Sequence, residues 1–337
     1  MRWARLLTAL FLALAAIQAA AQTAYSGGCL SRNDGDCRAR RERHQLGIYG
    51  VQPIDKLAND GVEVRRLFVL NAYYADMGLI AFSRDHGAAP RLSLQPPGYG
   101  LRRPPPLSIA VPLPLWEEIR AESAAFHEGR RMAAVAPDDV CVDAWTYIVE
   151  TATPADGAGR PRSAGRIVDQ CSGPHHPYWL AERALGLFPA CARLTEALGT
   201  PYDAVMLCAR LRAEPASVDT YVALAPLFDW GNSESAAVRA AFAPDAVLEW
   251  NGGPESGGTA ADRWLREMQA RGAALGFDRI EALDGGRTRL TGFIAFNQSA
   301  AEGEGPEYRA RAVIELARDG AGRLRIVRAR IARYHRI

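Results

Sequence analysis

Phe242-Ala243-Pro244-Asp245-Ala246-Val247-Leu248-Glu249-Trp250 decides how the last third of the chain is read. Ala243-Pro244-Asp245 stops a helix. Residues 247–250 then form a short strand, with Glu249 and Trp250 on opposite faces. Upstream, helices are expected over 218–228 and 234–242. Downstream, Gly258-Thr259-Ala260-Ala261 leads into a helix over 260–272, with Trp264 and Met268 on one face. Strands over 279–283, 287–296, 307–316 and 324–333 follow. The last two are joined by the hairpin turn Asp319-Gly320-Ala321-Gly322. Helices first and a run of strands afterwards make an α+β layer fold.

Working back towards the amino terminus, Glu214-Pro215-Ala216-Ser217 is the best break in the chain and places a domain boundary near 215. Residues 22–214 are read as one α+β domain and 215–337 as a second. In the first, 22–60 is polar, Arg-rich and irregular. Strands are expected over 64–70 and 79–82, with a short one at 92–94. A strand-like start at 107–114 runs into a helix over 115–131. A hairpin of 140–150 with 166–171 follows, then helices over 179–198 and 202–212.

The extreme amino terminus has the three-part pattern of a secretory signal peptide. Arg2 and Arg5 precede an apolar run from Leu6 to Ile17, and Ala19-Ala20-Ala21 supplies the cleavage site. The run is too short to span ~30 Å of hydrocarbon. An exported product, periplasmic or secreted and with no stable membrane span after cleavage, is expected. In that compartment the even set Cys29, Cys37, Cys141, Cys171, Cys191 and Cys208 reads as three disulfides. Six cysteines allow about fifteen connectivities. Sequential pairing is favoured, because Asn33-Asp34-Gly35, Asp156-Gly157 and Gly199-Thr200-Pro201 each put a turn between consecutive cysteines.

Without residues 1–21, and so without Arg2 and Arg5, the chain carries 38 basic and 38 acidic residues. That neutrality gives no general attraction to nucleic acid. No Cys-x-x-Cys, Gly-rich phosphate loop, Gly-x-Ser-x-Gly elbow or His-Glu-x-x-His occurs. His175-His176 lacks the spacing of a zinc site, so neither a metal nor a cofactor is expected.

The tail, 218–337, resembles the nuclear-transport-factor-2-like superfamily, in particular its SnoaL-like and ketosteroid-isomerase branch. The resemblance is carried by Tyr221-Val222-Ala223 on the first helix, by 242–250, by Gly258-Thr259-Ala260-Ala261, and by the turn at 319–322. It implies a cone in which a curved antiparallel sheet wraps helices around a pocket, and often a homodimer through the outer sheet face. Tyr221 matches the family's donor tyrosine. Trp250 stands where the isomerase base would be, and Ile314 where its second, protonated acid would be. One of the three groups that enolate chemistry requires is left.

The candidate site residues follow. Tyr221, Asp229 and His335 are the catalytic candidates, and Tyr221 is also a ligand-binding candidate. Trp250 and Trp264 face the expected pocket, and Arg328 and Arg330 share one strand face as an anion wall or an exposed, acid-paired surface. The leading reading is a noncatalytic protein that binds a small molecule or a protein partner. The alternatives are a hydrolase, dehydratase or cyclase using Tyr221 with Asp229 or His335, and a structural envelope component.

Overall fold

The computed structural model describes residues 35–70, 76–98, 105–130, 145–155, 159–169, 175–198, 200–228, 235–250, 253–254, 259–297 and 307–336. The expected signal segment, Cys29, Cys141, Cys171 and Asp229 lie outside them. Contacts divide the chain into two compact units, Met1–Leu187 and Phe188–Ile337. Both combine helices with a sheet, as the α+β reading expected. Among the described residues, no helix is long and apolar enough to cross a membrane.

The first unit is built on strands β1 (Glu63–Leu70), β2 (Asp76–Arg84), β3 (Arg91–Gln95), β4 (Leu107–Ala110), β5 (Thr146–Thr153) and β6 (Arg162–Asp169). They form one antiparallel sheet in the order β4-β3-β2-β1-β5-β6. Every residue of β1 after Glu63 is buried, as a strand covered on both faces must be. Phe68 and Leu70 cluster with Tyr49, Leu79 and Ile148, and Val64 clusters with Ile54, Ala58 and Ala152. The stretch expected to be irregular holds two helices, Gly35–Tyr49 and Ile54–Asn59. The buried face of the first is Cys37, Arg41, Gln45 and Tyr49, four residues apart. Two of those four are strongly polar, so no apolar stripe marks the helix in the sequence. Cys37 is disulfide-bonded.

The helix Leu113–His127 packs on β1 and β6, and against the helix His175–Gly186. The single helix expected over 179–198 is two, His175–Gly186 and Arg193–Leu198, separated by a 3₁₀ turn at Pro189–Cys191. Pro189 has no N–H to continue the ladder.

The second unit opens with that 3₁₀ turn. Cys191 is bonded to Cys208 on the helix Pro201–Arg210, with Cα atoms 5.7 Å apart. This pair is the sequential one expected, but it lies in the second unit. Of the residues taken for a linker, Pro215, Ala216 and Ser217 begin a helix, and a tight turn just ahead of them joins it to the preceding helix. Arg212 and Ala213 adopt left-handed φ of 58° and 53°, and their N–H groups donate to Ala209 and Cys208. Pro215 then starts the helix Pro215–Phe228, where its fixed φ suits the first position. That helix packs on Arg193–Leu198, which is why the contact boundary falls upstream of residue 215.

After the short helix Ser235–Ala241 come β7 (Phe242–Trp250), β8 (Gly253–Pro254), the helix Ala260–Arg271, and β9 (Ala274–Ala282), β10 (Thr288–Asn297), β11 (Glu307–Arg318), β12 (Leu324–Ile331) and β13 (His335–Arg336). The sheet order is β8-β7-β12-β11-β10-β9, with β13 on β11. It is mixed, not purely antiparallel as the resemblance implies. β7 and β12 run parallel, because more than seventy residues of crossover bring the chain back in the same direction. Bulges at Thr291/Gly292, Glu315/Leu316 and Ile326/Arg328 curve the sheet. Gly292 is required at its bulge, since a Cβ there would lie 2.1 Å from the Gly276 carbonyl oxygen. Strict alternation along β11 sends Ala310, Ala312, Ile314 and Leu316 to the helical side.

Candidate functional site

The interior of the second unit is built by β7 and the helix Ala260–Arg271. The Thr259 hydroxyl caps that helix by accepting the Asp262 N–H at 3.2 Å, and Gly272 ends it at φ 56°. Trp264 on the helix meets Trp250 on β7 edge-to-face, with centroids 5.6 Å apart, and Phe242 at 6.1 Å. Trp250 is 1% exposed and Trp264 2%. Arg263, itself buried, donates to the Leu248 and Trp250 carbonyls and ties the helix to the strand. The two tryptophans expected to line a pocket are packed against each other as core.

Tyr221 sits in a second aromatic group. It stacks on Phe228 at 4.6 Å and meets Phe277 edge-on at 5.6 Å. The Arg210 guanidinium lies 4.9 Å over Phe277. Burial pushes the Tyr221 hydroxyl up to about 12, with Arg210 opposing and Asp203 adding to the shift. The shift favours the neutral phenol over the phenolate. Asp203 is itself raised by burial, against the Thr200 hydroxyl that donates to it at 2.7 Å. Sequence reading missed Asp203, whose only local signal is Thr200-x-x-Asp203 at a helix start. The positions of the isomerase base and acid, Trp250 and Ile314, are both buried and apolar. His335 is exposed on β13, opposite Arg309.

Arg328 and Arg330 lie on the outer face of the sheet, and both close on Glu249. Arg328 Nη2 is 2.5 Å from Oε1 and Arg330 Nε is 2.7 Å from Oε2. Hydrogen bonds from Arg330 and Arg328 hold the Glu249 carboxyl down at about 2. Other pairs share the sheet, Arg289 with Glu315 and Arg309 with Glu307. Glu249 thus points away from Trp250, as the strand alternation requires.

An open concavity lies elsewhere in this unit. It is a groove of about 530 Å³ between the helix Pro215–Phe228, the helix Ser235–Ala241 and the β11–β12 turn. Val222, Ala223 and Pro226 present one helix face to it, and Ala237, Ala240 and Leu324 complete an apolar floor. Arg193, Arg318, Arg323 and Arg325 form its rim. Arg193 and Arg318 share Asp219, and Arg323 and Arg325 share Asp319. The N–H groups of Arg323 and Ala321 hold the Asp319 carboxyl down at about 2, with Arg325 contributing. The turn at 319–322 and the arginines of the last strands were visible in the sequence. That Asp219, Val222, Ala223 and Pro226 form a groove wall follows from their i, i+3, i+4, i+7 spacing, but the sequence does not show what faces them.

Among the described residues, no group of three or more His, Cys, Asp or Glu is placed to hold a metal ion. No family model matches the chain, and no curated protein matches it. Several solved structures resemble part of it. A protein described as a calcium/calmodulin-dependent protein kinase II association domain from Xanthomonas campestris is 15% identical, with 36% of this chain and 86% of that one covered and a TM-score of 0.28. A protein described as a polyketide cyclase from Sinorhizobium meliloti is 20% identical over 32% and 92% of the two chains, with a TM-score of 0.25. A de novo designed protein with a curved β-sheet is 20% identical over 30% and 86%, with a TM-score of 0.23. At these values the likeness decides nothing about chemistry.

Proposed function

We propose that this chain is an exported binding protein that holds a small molecule without transforming it, in the groove beside the helix Pro215–Phe228. The observation that carries the reading is the groove itself, an apolar floor beneath a cationic rim, in a size range of ~300–1,000 Å³ typical of ligand sites. The Cys191–Cys208 disulfide supports an oxidising compartment, in keeping with the signal-peptide pattern at residues 1–21. Native mass spectrometry of the oxidised protein tests it. The expected result is a small molecule retained by the wild type and lost from Ala223→Trp, a variant that fills the groove, with the far-ultraviolet circular dichroism and the urea unfolding midpoint unchanged. Retention of the same molecule by Ala223→Trp refutes the groove as its seat.

A second reading, an enzyme, would use Tyr221, whose ring is held by stacking on Phe228 and by an edge-on contact with Phe277. Turnover of a bound molecule that disappears in Tyr221→Phe, with affinity retained, would establish it over the first.

A further inference from the structure

Building on that binding reading, we infer that the groove selects a small amphiphilic carboxylic acid, with Arg323 and Arg325 forking its carboxylate and the alanine-rich floor taking its apolar body. The inference rests on which donors the β11–β12 turn leaves unspent. Asp319 Oδ1 accepts the N–H groups of Ala321 and Arg323, each at 2.9 Å, and so closes the turn. Asp319 Oδ2 accepts Nε of Arg323 at 3.1 Å and Nε of Arg325 at 3.2 Å. That carboxylate is full, since its two oxygens offer about four acceptor sites. Each of the two guanidiniums has committed only Nε, which leaves both Nη groups of each without a partner among the described residues. Arg325 is no freely solvated side chain, since it is only 19% exposed and lines the groove.

Across the groove, Arg193 and Arg318 share the single carboxylate of Asp219. Arg318 Nη1 also donates to the Gly322 carbonyl at 2.8 Å, which holds the turn against the groove. Four guanidiniums and two carboxylates leave two positive charges unneutralised around an apolar floor. A planar carboxylate matches the planar Nη fork, and a charge-assisted pair of this kind is shorter and stronger than a neutral one. The floor of Val222, Ala223, Pro226, Ala240 and Leu324 has no donor or acceptor side chain, so the remainder of the ligand is apolar.

The test is calorimetric titration of the full, oxidised protein with octanoate and with 1-octanol, which share a chain and differ in charge. Octanoate is expected to bind at least tenfold more tightly than octanol and to weaken as salt is raised. Arg323→Gln and Arg325→Gln are each expected to weaken octanoate about tenfold, or about 1.4 kcal/mol, and to leave octanol unchanged. Amide shifts at Leu324 and Ala240 in the wild type should move with octanoate. Arg323, which is 67% exposed, serves as the control against misfolding of the Arg325 variant. Equal binding of octanol and octanoate overturns the carboxylate assignment and leaves the groove as a binding site. Absence of octanoate binding while the wild type retains another molecule that Ala223→Trp loses also overturns it. Octanoate binding that survives Ala223→Trp overturns the groove reading itself.

Discussion

Removing Glu150 should unravel the sheet of the first unit, and removing its partner as well should restore it. Arg66 on β1 and Glu150 on β5 are directly opposed in the register. Arg66 Nε donates to Glu150 Oε2 at 2.7 Å, and Nη2 lies 2.6 Å from the same oxygen. The side chains are 2% and 4% exposed, so neither charge has water to fall back on. Arg66 Nη1 also donates to the Gln52 carbonyl at 2.8 Å, and its guanidinium lies 5.1 Å over the Phe68 ring. Glu150→Leu strands a buried guanidinium, at a cost of about 3–5 kcal/mol. A domain is stable by only ~5–15 kcal/mol, so this is a large fraction. Arg66→Met should cost a similar amount. The double variant should come back to within about 1–2 kcal/mol of wild type, because an apolar pair of like volume needs no desolvation; the remainder is the Gln52 carbonyl left without its donor. For a chain of two compact units a single unfolding free energy is not well defined. Hydrogen exchange at the amides of β1 and β5 reads the right segment. The reasoning is refuted if Glu150→Leu changes protection by less than tenfold, or if the double variant loses as much as the two singles summed.

Three further outcomes are expected. Replacing Cys191 and Cys208 together by serine opens a bridge between residues 17 apart and should lower the stability of the second unit by about 3 kcal/mol, measured by urea unfolding followed on that unit. His176 is held neutral by burial, beside His127, at about 3, while it stacks on Phe126 at 4.7 Å and lies 3.4 Å from the Ser123 hydroxyl. Below its ordinary value of 6.5 the unfolded chain takes up the proton first, so the first unit should lose stability as pH falls from about 6.5 towards 3. His176→Phe should flatten that slope on a melting-temperature profile, leaving the smaller part due to His127, and an unchanged slope counts against it. Gly292→Ala would drive a Cβ into the Gly276 backbone, where no side chain can move aside, and should cost at least about 1–3 kcal/mol, read by loss of exchange protection in β9 and β10.

The longer strands of both units were legible where their patterning is regular, although β7 starts at Phe242 rather than 247 and the short β8 and β13 were not read. β11 alternates residue by residue, and β1 is a continuous buried run. The Cys191–Cys208 bridge was legible from a turn between two helices. The helix Gly35–Tyr49 was not, because its inward residues include Arg41 and Gln45 and the helix is weakly amphipathic. β9 begins at Ala274, five residues ahead of its expected start, because Gly276 looks like a breaker yet lies flat beneath the Phe293 ring. The candidate site was legible only in pieces. Tyr221 stood out as an aromatic on the first helix, but its neighbours Phe277 and Arg210 come from distant segments. The groove joins a helix face to a turn about a hundred residues later, and no local pattern encodes that pairing.

The parallel pairing of β7 with β12 bears on how the chain can be made. β7 ends at Trp250, yet its ladder partners run from Ile326 to Ile331. A ribosome or export channel that releases the chain from its amino end delivers β7 long before the strand that completes it. Through that interval the edge of β7 that receives β12 must wait unpaired, since a long-range parallel contact forms only after its loop is closed. The second unit is therefore the segment that a holding chaperone would be called on to protect during biogenesis, and a chain cut short before residue 326 would keep the helices but lose the strand that closes the sheet over them.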